Sequence, residues 1–217
     1  MTFFTRALLL GTLVIPVCAA AQVDPALQRY TSCTFDDGLK PVETTHLPAN
    51  IQGRTVETLT GPRQVPILRG EHITFSYPST RFFATVKIEQ LPPASFDQGK
   101  ADLISNFDHI LSGDDESARN MSFALRPSLN GFEVYGLDRK RLEGNTLGIY
   151  LLIDNRTHIV ASVFFLNQEP QQRKFSNLGE YRSLRDHFLE AYTSCVHGPF
   201  SVPTPPTRAR TKSVKPH

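Results

Sequence analysis

Two carboxylate and imidazole pairs are the residues of this sequence best suited to acid and base chemistry. Asp108 directly precedes His109, and Asp186 directly precedes His187. A carboxylate that orients an imidazole supplies the groups of a general acid or base. Both pairs fall in stretches with helical periodicity, where adjacent side chains point in different directions. We therefore predict exposed polar positions here instead of catalytic dyads.

Cys195 and His197 offer a nucleophile and a base, but residues two apart on a helix do not face each other. The sequence also lacks the signatures of metalloproteases, serine hydrolases, phosphate-binding loops, dinucleotide-binding loops and Cys-x-x-Cys redox sites. We therefore predict no catalytic residue. A small exported hydrolase, with dispersed His and Asp residues gathered in a cleft, is the alternative.

Two acidic clusters, Asp36-Asp37 and Asp114-Asp115-Glu116, could offer oxygen ligands to calcium. Neither has the alternating spacing of a calcium loop. His72 and His158 begin predicted strands and have no metal-ligand spacing either. We predict no metal site and no cofactor.

Residues 1–21 have the layout of a cleaved secretory signal. Arg6 supplies the positive charge, an apolar run follows, and the small residues Ala19-Ala20-Ala21 end it. The run is interrupted by Gly11 and Pro16 and is shorter than the roughly 20 apolar residues of a membrane span. We predict export to the periplasm or the extracellular space, with no transmembrane span in the mature chain.

Removal of the signal leaves two cysteines, Cys33 and Cys195, and an oxidising compartment favours a disulfide between them. Each cysteine ends a Leu-x-x-Tyr-x-x-Cys pattern, which begins at Leu27 and at Leu189 and places all three side chains on one helix face. We predict that the first and last helices are joined by this bridge. It would close a loop of about 160 residues and stabilise the fold by up to roughly 5 kcal/mol.

The C-terminal stretch 199–217 is rich in proline and has no acidic residue, so we predict a disordered tail after a single domain at 22–198. Its cations could contact anionic glycans, lipid headgroups or nucleic acid, or they could simply be solvated. They are Arg208, Arg210, Lys212 and Lys215. No aromatic side chains are interleaved with them, so we predict no sequence-specific recognition of nucleic acid.

Arg139, Lys140 and Arg141 form a second basic cluster, on a predicted strand near a turn. The cluster could contact an acidic partner. It could also protect a sheet edge from unwanted strand pairing, and we favour that role.

The central sequence predicts an antiparallel sheet of five to seven strands. Residues 72–77 and 83–91 alternate apolar and polar side chains, and three further strands form a meander within 132–167. Near-continuous apolarity in the last two strands of the meander predicts that both faces of the sheet are covered. We expect a short strand at 121–126 and a turn at 127–131.

Amphipathic helices complete an α+β fold. One follows Ser95 with the apolar stripe Leu103, Ile104, Phe107, Ile110 and Leu111, and the other follows the capping residue Asn177. Residues 35–70 predict irregular structure with an edge strand.

The stretches ITFSYPSTRFF, LEGNTLGIYLLIDNRTHIVASVFFL and EYRSLRDHFLEAY, with this order of elements, resemble the Mog1/PsbP-like group of sandwich domains over about residues 70–195. That group consists mostly of assembly factors and binding modules, so the resemblance implies a non-catalytic role and carries over no functional residue. We predict an exported monomer that engages a protein or an envelope component.

Overall fold

The computed structural model describes residues 25–35, 39–76, 83–113, 123–139, 146–166 and 177–198, together with Leu142 and Phe175. The first half contains α1 (Pro25–Thr31), β1 (Lys40–Leu47), β2 (Asn50–Thr58), β3 (Gly61–Ile67), β4 (Arg69–Ser76), β5 (Phe83–Gln90) and α2 (Phe96–Gly113). The second half contains β6 (Ala124–Leu129), β7 (Phe132–Asp138), β8 (Thr146–Asp154), β9 (Ile159–Leu166) and α3 (Leu178–His197).

Seven strands form one antiparallel sheet in the order β1-β4-β5-β9-β8-β7-β6. β2 and β3 pair only with each other, as a separate hairpin. The predicted α+β class and antiparallel sheet are confirmed.

Each face of the sheet is covered by its own apolar layer. The α1/α3 layer packs the two terminal helices on one face, through residues such as Leu27 and Phe188. The α2 layer packs α2 and the β2–β3 hairpin on the other face, through residues such as Leu103 and Val65. β8 lies between the two layers and is buried from Leu147 to Asp154, as its continuous apolarity predicted.

The structure has the cap predicted for α3, but it buries only part of the apolar stripe predicted for α2. The side chain of Asn177 accepts a hydrogen bond from the backbone N–H of Glu180 at 3.0 Å, which confirms the predicted cap. In α2, Leu103 and Phe107 are buried, but Ile110 is 44% exposed. Periodicity identifies the apolar face of a helix, but not where the surface that covers it ends.

Among the described helices, none is long and apolar enough to cross a membrane.

Residues 40–67 differ from the irregular segment that we expected, because they form three strands. Pro66 fits in β3 and Pro41 fits in β1, since each of these strands pairs on one side only. Leu47 is half-buried, and the described side chains of β1 before it are exposed. A strand with exposed side chains, such as β1, does not need to alternate apolar and polar residues. Its sequence therefore carries no periodic signal that would predict it.

The hairpin between β6 and β7 turns later than predicted. Pro127 lies within β6, and the turn consists of Asn130 and Gly131, at φ angles of 46° and 87°. Asn and Gly tolerate this left-handed backbone, as a tight reversal requires. β7 then runs from Phe132 to Asp138, as the first strand of the predicted meander.

Candidate binding surface

Cys33 and Cys195 form a disulfide, with their Cα atoms 5.8 Å apart. Cys33 lies shortly after α1, and Cys195 lies near the end of α3. Leu27, Tyr30 and Cys33 are all buried, as the predicted stripe requires. The predicted disulfide is confirmed, and an oxidised sulfur cannot act as the nucleophile beside His197.

His197 instead ties the end of α3 to the sheet. Its Nε2 lies 2.9 Å from Asp154 Oδ2, and its Nδ1 lies 2.5 Å from the backbone oxygen of Asn130. The ring stacks on Phe132 with centroids 4.1 Å apart, and Arg156 Nη2 lies 2.9 Å from Nε2. Both ring nitrogens are engaged within the fold, so the geometry does not present His197 as a general base.

Asp154 is the buried acceptor at the centre of this network. It accepts hydrogen bonds from the Tyr30 hydroxyl at 3.2 Å and from the backbone N–H of Arg156 at 3.0 Å. Burial works to raise the pKa of Asp154, but the hydrogen bonds from His197, Arg156 and Thr157 outweigh it, and the pKa lies below its ordinary value. Burial also raises the pKa of Tyr30, which keeps its hydroxyl a donor.

A second carboxylate, Asp138, holds the beginning of α3. It accepts hydrogen bonds from the hydroxyls of Tyr150 and Tyr181, both at 2.8 Å, and from Arg185. A side chain at Gly148 would collide with the Tyr181 hydroxyl and with Asp138, so glycine permits this close approach. Burial raises the pKa of both tyrosines, which therefore remain donors.

Three arginines lie around this carboxylate and the two tyrosines that bond it, and we call them the arginine corner: Arg126, Arg182 and Arg185. The guanidinium of Arg185 lies 5.7 and 5.8 Å from the ring centroids of Tyr150 and Tyr181, which fixes its position. Arg139 directly follows Asp138, and its backbone N–H donates to the oxygen of Leu147 at 2.8 Å.

Arg126 and Arg182 approach the same corner from β6 and α3. Arg126 Nε donates to the backbone oxygen of Gly136 at 3.2 Å. Both arginines lie near enough to the Tyr150 hydroxyl to favour its ionised form, although burial dominates its pKa. Both side chains are exposed.

The arginine corner has more positive than negative charge. Asp138 binds Arg185, and Asp186 also binds Arg185, at 2.7 Å. Over the described ranges, neither Arg126 nor Arg182 has an anionic partner. Two exposed guanidinium groups at this corner thus have no carboxylate partner among the described residues.

Only Arg139 among the predicted anionic contacts lies within the described residues. Those outside them are Lys140, Arg141, Arg208, Arg210, Lys212 and Lys215. The favoured role for the 139–141 cluster was edge protection, but β7 lies between β6 and β8 and is not an edge strand. Sequence reasoning missed Arg126, Arg182 and Arg185; the signal that could have found two of them is their three-residue spacing on one helix.

The other predicted acidic groups have structural partners or lie outside the described chain. Asp108 accepts a hydrogen bond from the backbone N–H of Phe123 at 3.2 Å. The clusters at 36–37 and 114–116 are outside the described residues. Among the residues that the structure describes, no three His, Cys, Asp or Glu side chains are grouped to hold a metal ion.

Comparison of the chain with protein-family models, with curated proteins and with solved structures finds no match.

Proposed function

We propose that this chain is an exported, non-catalytic binding module whose arginine corner recognises anionic oxygens on a protein or an envelope component. One observation carries the proposal: Arg126 and Arg182 are exposed, lack an anionic partner among the described residues, and flank the immobilised Arg185. The resemblance to Mog1/PsbP-like domains implies a role of the same kind and stays a prediction.

Arginine is well suited to this task because its planar guanidinium can form two parallel hydrogen bonds with one carboxylate or phosphate. The bond from Arg126 Nε to Gly136 restrains that side chain while its two terminal nitrogens remain available. Restraint before binding lowers the entropy lost when a ligand is held.

Export is supported by the disulfide between Cys33 and Cys195, because such bridges persist mainly in oxidising compartments. It is also supported by the signal layout at 1–21. Fractionation of the host cells, followed by mass determination of the mature chain, would test both points. A chain retained in the cytoplasm with residues 1–21 intact would contradict export.

The hydrolase alternative has no specific observation in its favour. The carboxylate and imidazole pair with the best geometry, Asp154 and His197, has both ring nitrogens engaged by the fold.

Binding to immobilised polyglutamate, to phosphatidylglycerol vesicles and to an acidic polysaccharide would test the arginine corner and separate the sources of anionic oxygens. We expect the native chain to bind at least one of them at low salt. Arg126→Gln and Arg182→Gln should each weaken that binding by about tenfold, since each loses a charge-assisted contact worth roughly 1.5 kcal/mol or more.

Arg63→Gln is the matched control, because Arg63 is also exposed but lies on β3, on the other side of the sheet. It should bind as the native chain does. Equal binding by all three variants, or no binding of the native chain to any of the three anions, would contradict the proposal.

A further inference from the structure

The face of the sheet opposite α3 carries five adjacent polar residues on β4, β5 and β9, which we call the polar patch. Cross-strand pairing places His72 beside Lys87 and Lys87 beside Ser162. In the neighbouring row, Thr74 pairs with Thr85. Side chains on adjacent strands are about 5 Å apart at directly paired positions, so these five form one continuous surface.

The intervening residues fix the side on which the patch lies. Ile73, Val86 and Val163 belong to the α1/α3 layer. Because successive side chains on a strand point to opposite faces, the polar patch faces the α2 layer and the β2–β3 hairpin.

One hydroxyl of the patch is buried without a hydrogen-bond partner among the residues that the structure describes. Ser162 is 1% exposed, and its Oγ has no hydrogen-bond partner within the described part of the chain. A buried hydroxyl without a partner destabilises the folded state. A ligand that forms a hydrogen bond with Ser162 Oγ would explain why β9 has a serine at this position.

The charges around the patch are balanced. Lys87 Nζ lies 2.8 Å from Glu89 Oε1, and Arg54 forms two hydrogen bonds of 2.9 Å with the same carboxylate. Glu43, the β1 partner of Thr74, adds a second carboxylate. The two cations, Lys87 and Arg54, are therefore balanced in charge by Glu89 and Glu43. This balance favours an uncharged ligand over a polyanion.

The edges of the patch are accessible. His72 and Thr85 are half-buried, and the side chain of Lys87 is 29% exposed. Phe164, the β9 partner of Thr85, is also half-buried and provides an apolar surface beside the hydroxyls. A sugar could bind here in two ways at once. Its hydroxyls can form hydrogen bonds with the hydroxyl, imidazole and ammonium groups of the patch, while its C–H groups pack on the aromatic ring of Phe164.

We propose that the polar patch is a binding site for a neutral glycan, with Thr85, His72 and Lys87 at its rim and Ser162 at its base. The site lies on the opposite face of the sheet from the arginine corner. It is independent of the anion binding proposed above.

Titration of the isotope-labelled full chain with maltotriose and with the trimer of N-acetylglucosamine, followed by NMR, tests the site. We expect shift changes concentrated in β4, β5 and β9 for at least one sugar. Thr85→Val should weaken that binding by about tenfold, because it removes a hydroxyl without changing the shape of the side chain.

Thr44→Val is the matched control. Thr44 is exposed on β1 and pairs with Ile73, so it faces the α1/α3 side of the sheet. It should bind the sugar as the native chain does, and so should Arg126→Gln. Equal affinities for Thr85→Val and Thr44→Val would overturn the proposal. So would shift changes outside the patch, a response only to a charged sugar such as trigalacturonate, or no response to either neutral trimer.

Ser162→Ala adds a measurement that does not depend on choosing the right sugar. If its Oγ lacks a partner in the free protein, this variant should raise the Tm by about 2–4 °C. Ser162→Ala should also weaken the binding of the neutral trimer that the native chain binds. A fall in Tm would mean that Oγ already has a partner inside the protein and would overturn the premise.

Discussion

Two carboxylates, the buried Asp154 and the half-buried Asp138, determine how α3 packs on the sheet. Asp138 holds its first turns through Tyr181 and Arg185, and Asp154 holds its last turn through His197. Each carboxylate replaces its lost hydration with several hydrogen bonds, which makes its burial tolerable. The carboxylate and imidazole pair with the best geometry, Asp154 and His197, is therefore explained by the packing of one helix.

Asp154 predicts a pH dependence of stability at the residue scale. Its pKa is lowered in the folded state, so its contribution is present above the pKa of an unfolded aspartate, about 3.9. That contribution is lost as the pH falls through the folded pKa. Asp154→Asn should be less stable than the native chain at pH 7, by about 1.5–3 kcal/mol, because His197 and Tyr30 lose a charged acceptor.

Urea unfolding from pH 7 down to pH 3 measures this effect. The gap between the two chains should narrow as the pH falls, since the native chain alone loses the Asp154 contribution. A gap that stays constant over this range would show that Asp154 does not titrate with a lowered pKa.

At the scale of elements, the β2–β3 hairpin is held on the sheet by a few polar contacts as well as by its apolar face. Arg54 makes a two-bond contact with the buried Glu89, and Asn106 Nδ2 donates to the backbone oxygen of Glu57 at 2.6 Å. Val56 and Val65 contribute the apolar part. Because the hairpin pairs with no strand of the main sheet, these contacts decide whether it stays closed.

Arg54→Ala should loosen the hairpin without unfolding the sheet. Glu89 is 2% exposed and would keep Lys87 as its remaining cation, so we expect a loss of about 1–3 kcal/mol. Hydrogen exchange should accelerate in residues 50–67 more than in β8 and β9. Arg54→Lys keeps the charge but not the two-bond geometry, and it should fall between the native chain and Arg54→Ala. Uniform acceleration throughout the sheet would contradict a local role.

At the scale of the whole molecule, the disulfide connects the two ends of a sheet-centred fold. Cys33 and Cys195 are 162 residues apart in a chain of 217, so the bridge closes a loop of about three quarters of the unfolded chain. The α1/α3 layer on which it lies also contains the hydrogen bond from the Tyr192 hydroxyl to the backbone oxygen of Tyr30, at 3.0 Å. The bridge and this contact join α1 to α3 at the same place.

Replacing both cysteines, as Cys33→Ala with Cys195→Ala, should lower the free energy of unfolding by about 2–5 kcal/mol. The measurement is chemical unfolding with and without reductant. The native chain should lose stability on reduction, and the double variant should not respond, which makes it the control for reductant effects. An unchanged midpoint for the native chain under reducing conditions would contradict the stabilising role.

The sequence by itself determined two kinds of feature. One kind depends on residues close together in the chain, and the other is a pairing for which the sequence offers a single choice. Asn177 was recognisable as a cap because its partner is three residues away, and β8 was recognisable as doubly covered because its side chains are continuously apolar. Because the predicted removal of residues 1–21 would leave two cysteines, Cys33 and Cys195 were the one pair to predict, and the structure has them bonded.

Only the tertiary structure decided where the two proposed binding surfaces lie. β1 was missed because its described side chains before Leu47 are exposed and carry no periodic signal. Arg126 and Arg182 meet at one corner, and Lys87 meets Ser162 on one face, because of strand register and helix placement. Register depends on pairing between distant segments, and a local pattern of residues does not contain that information.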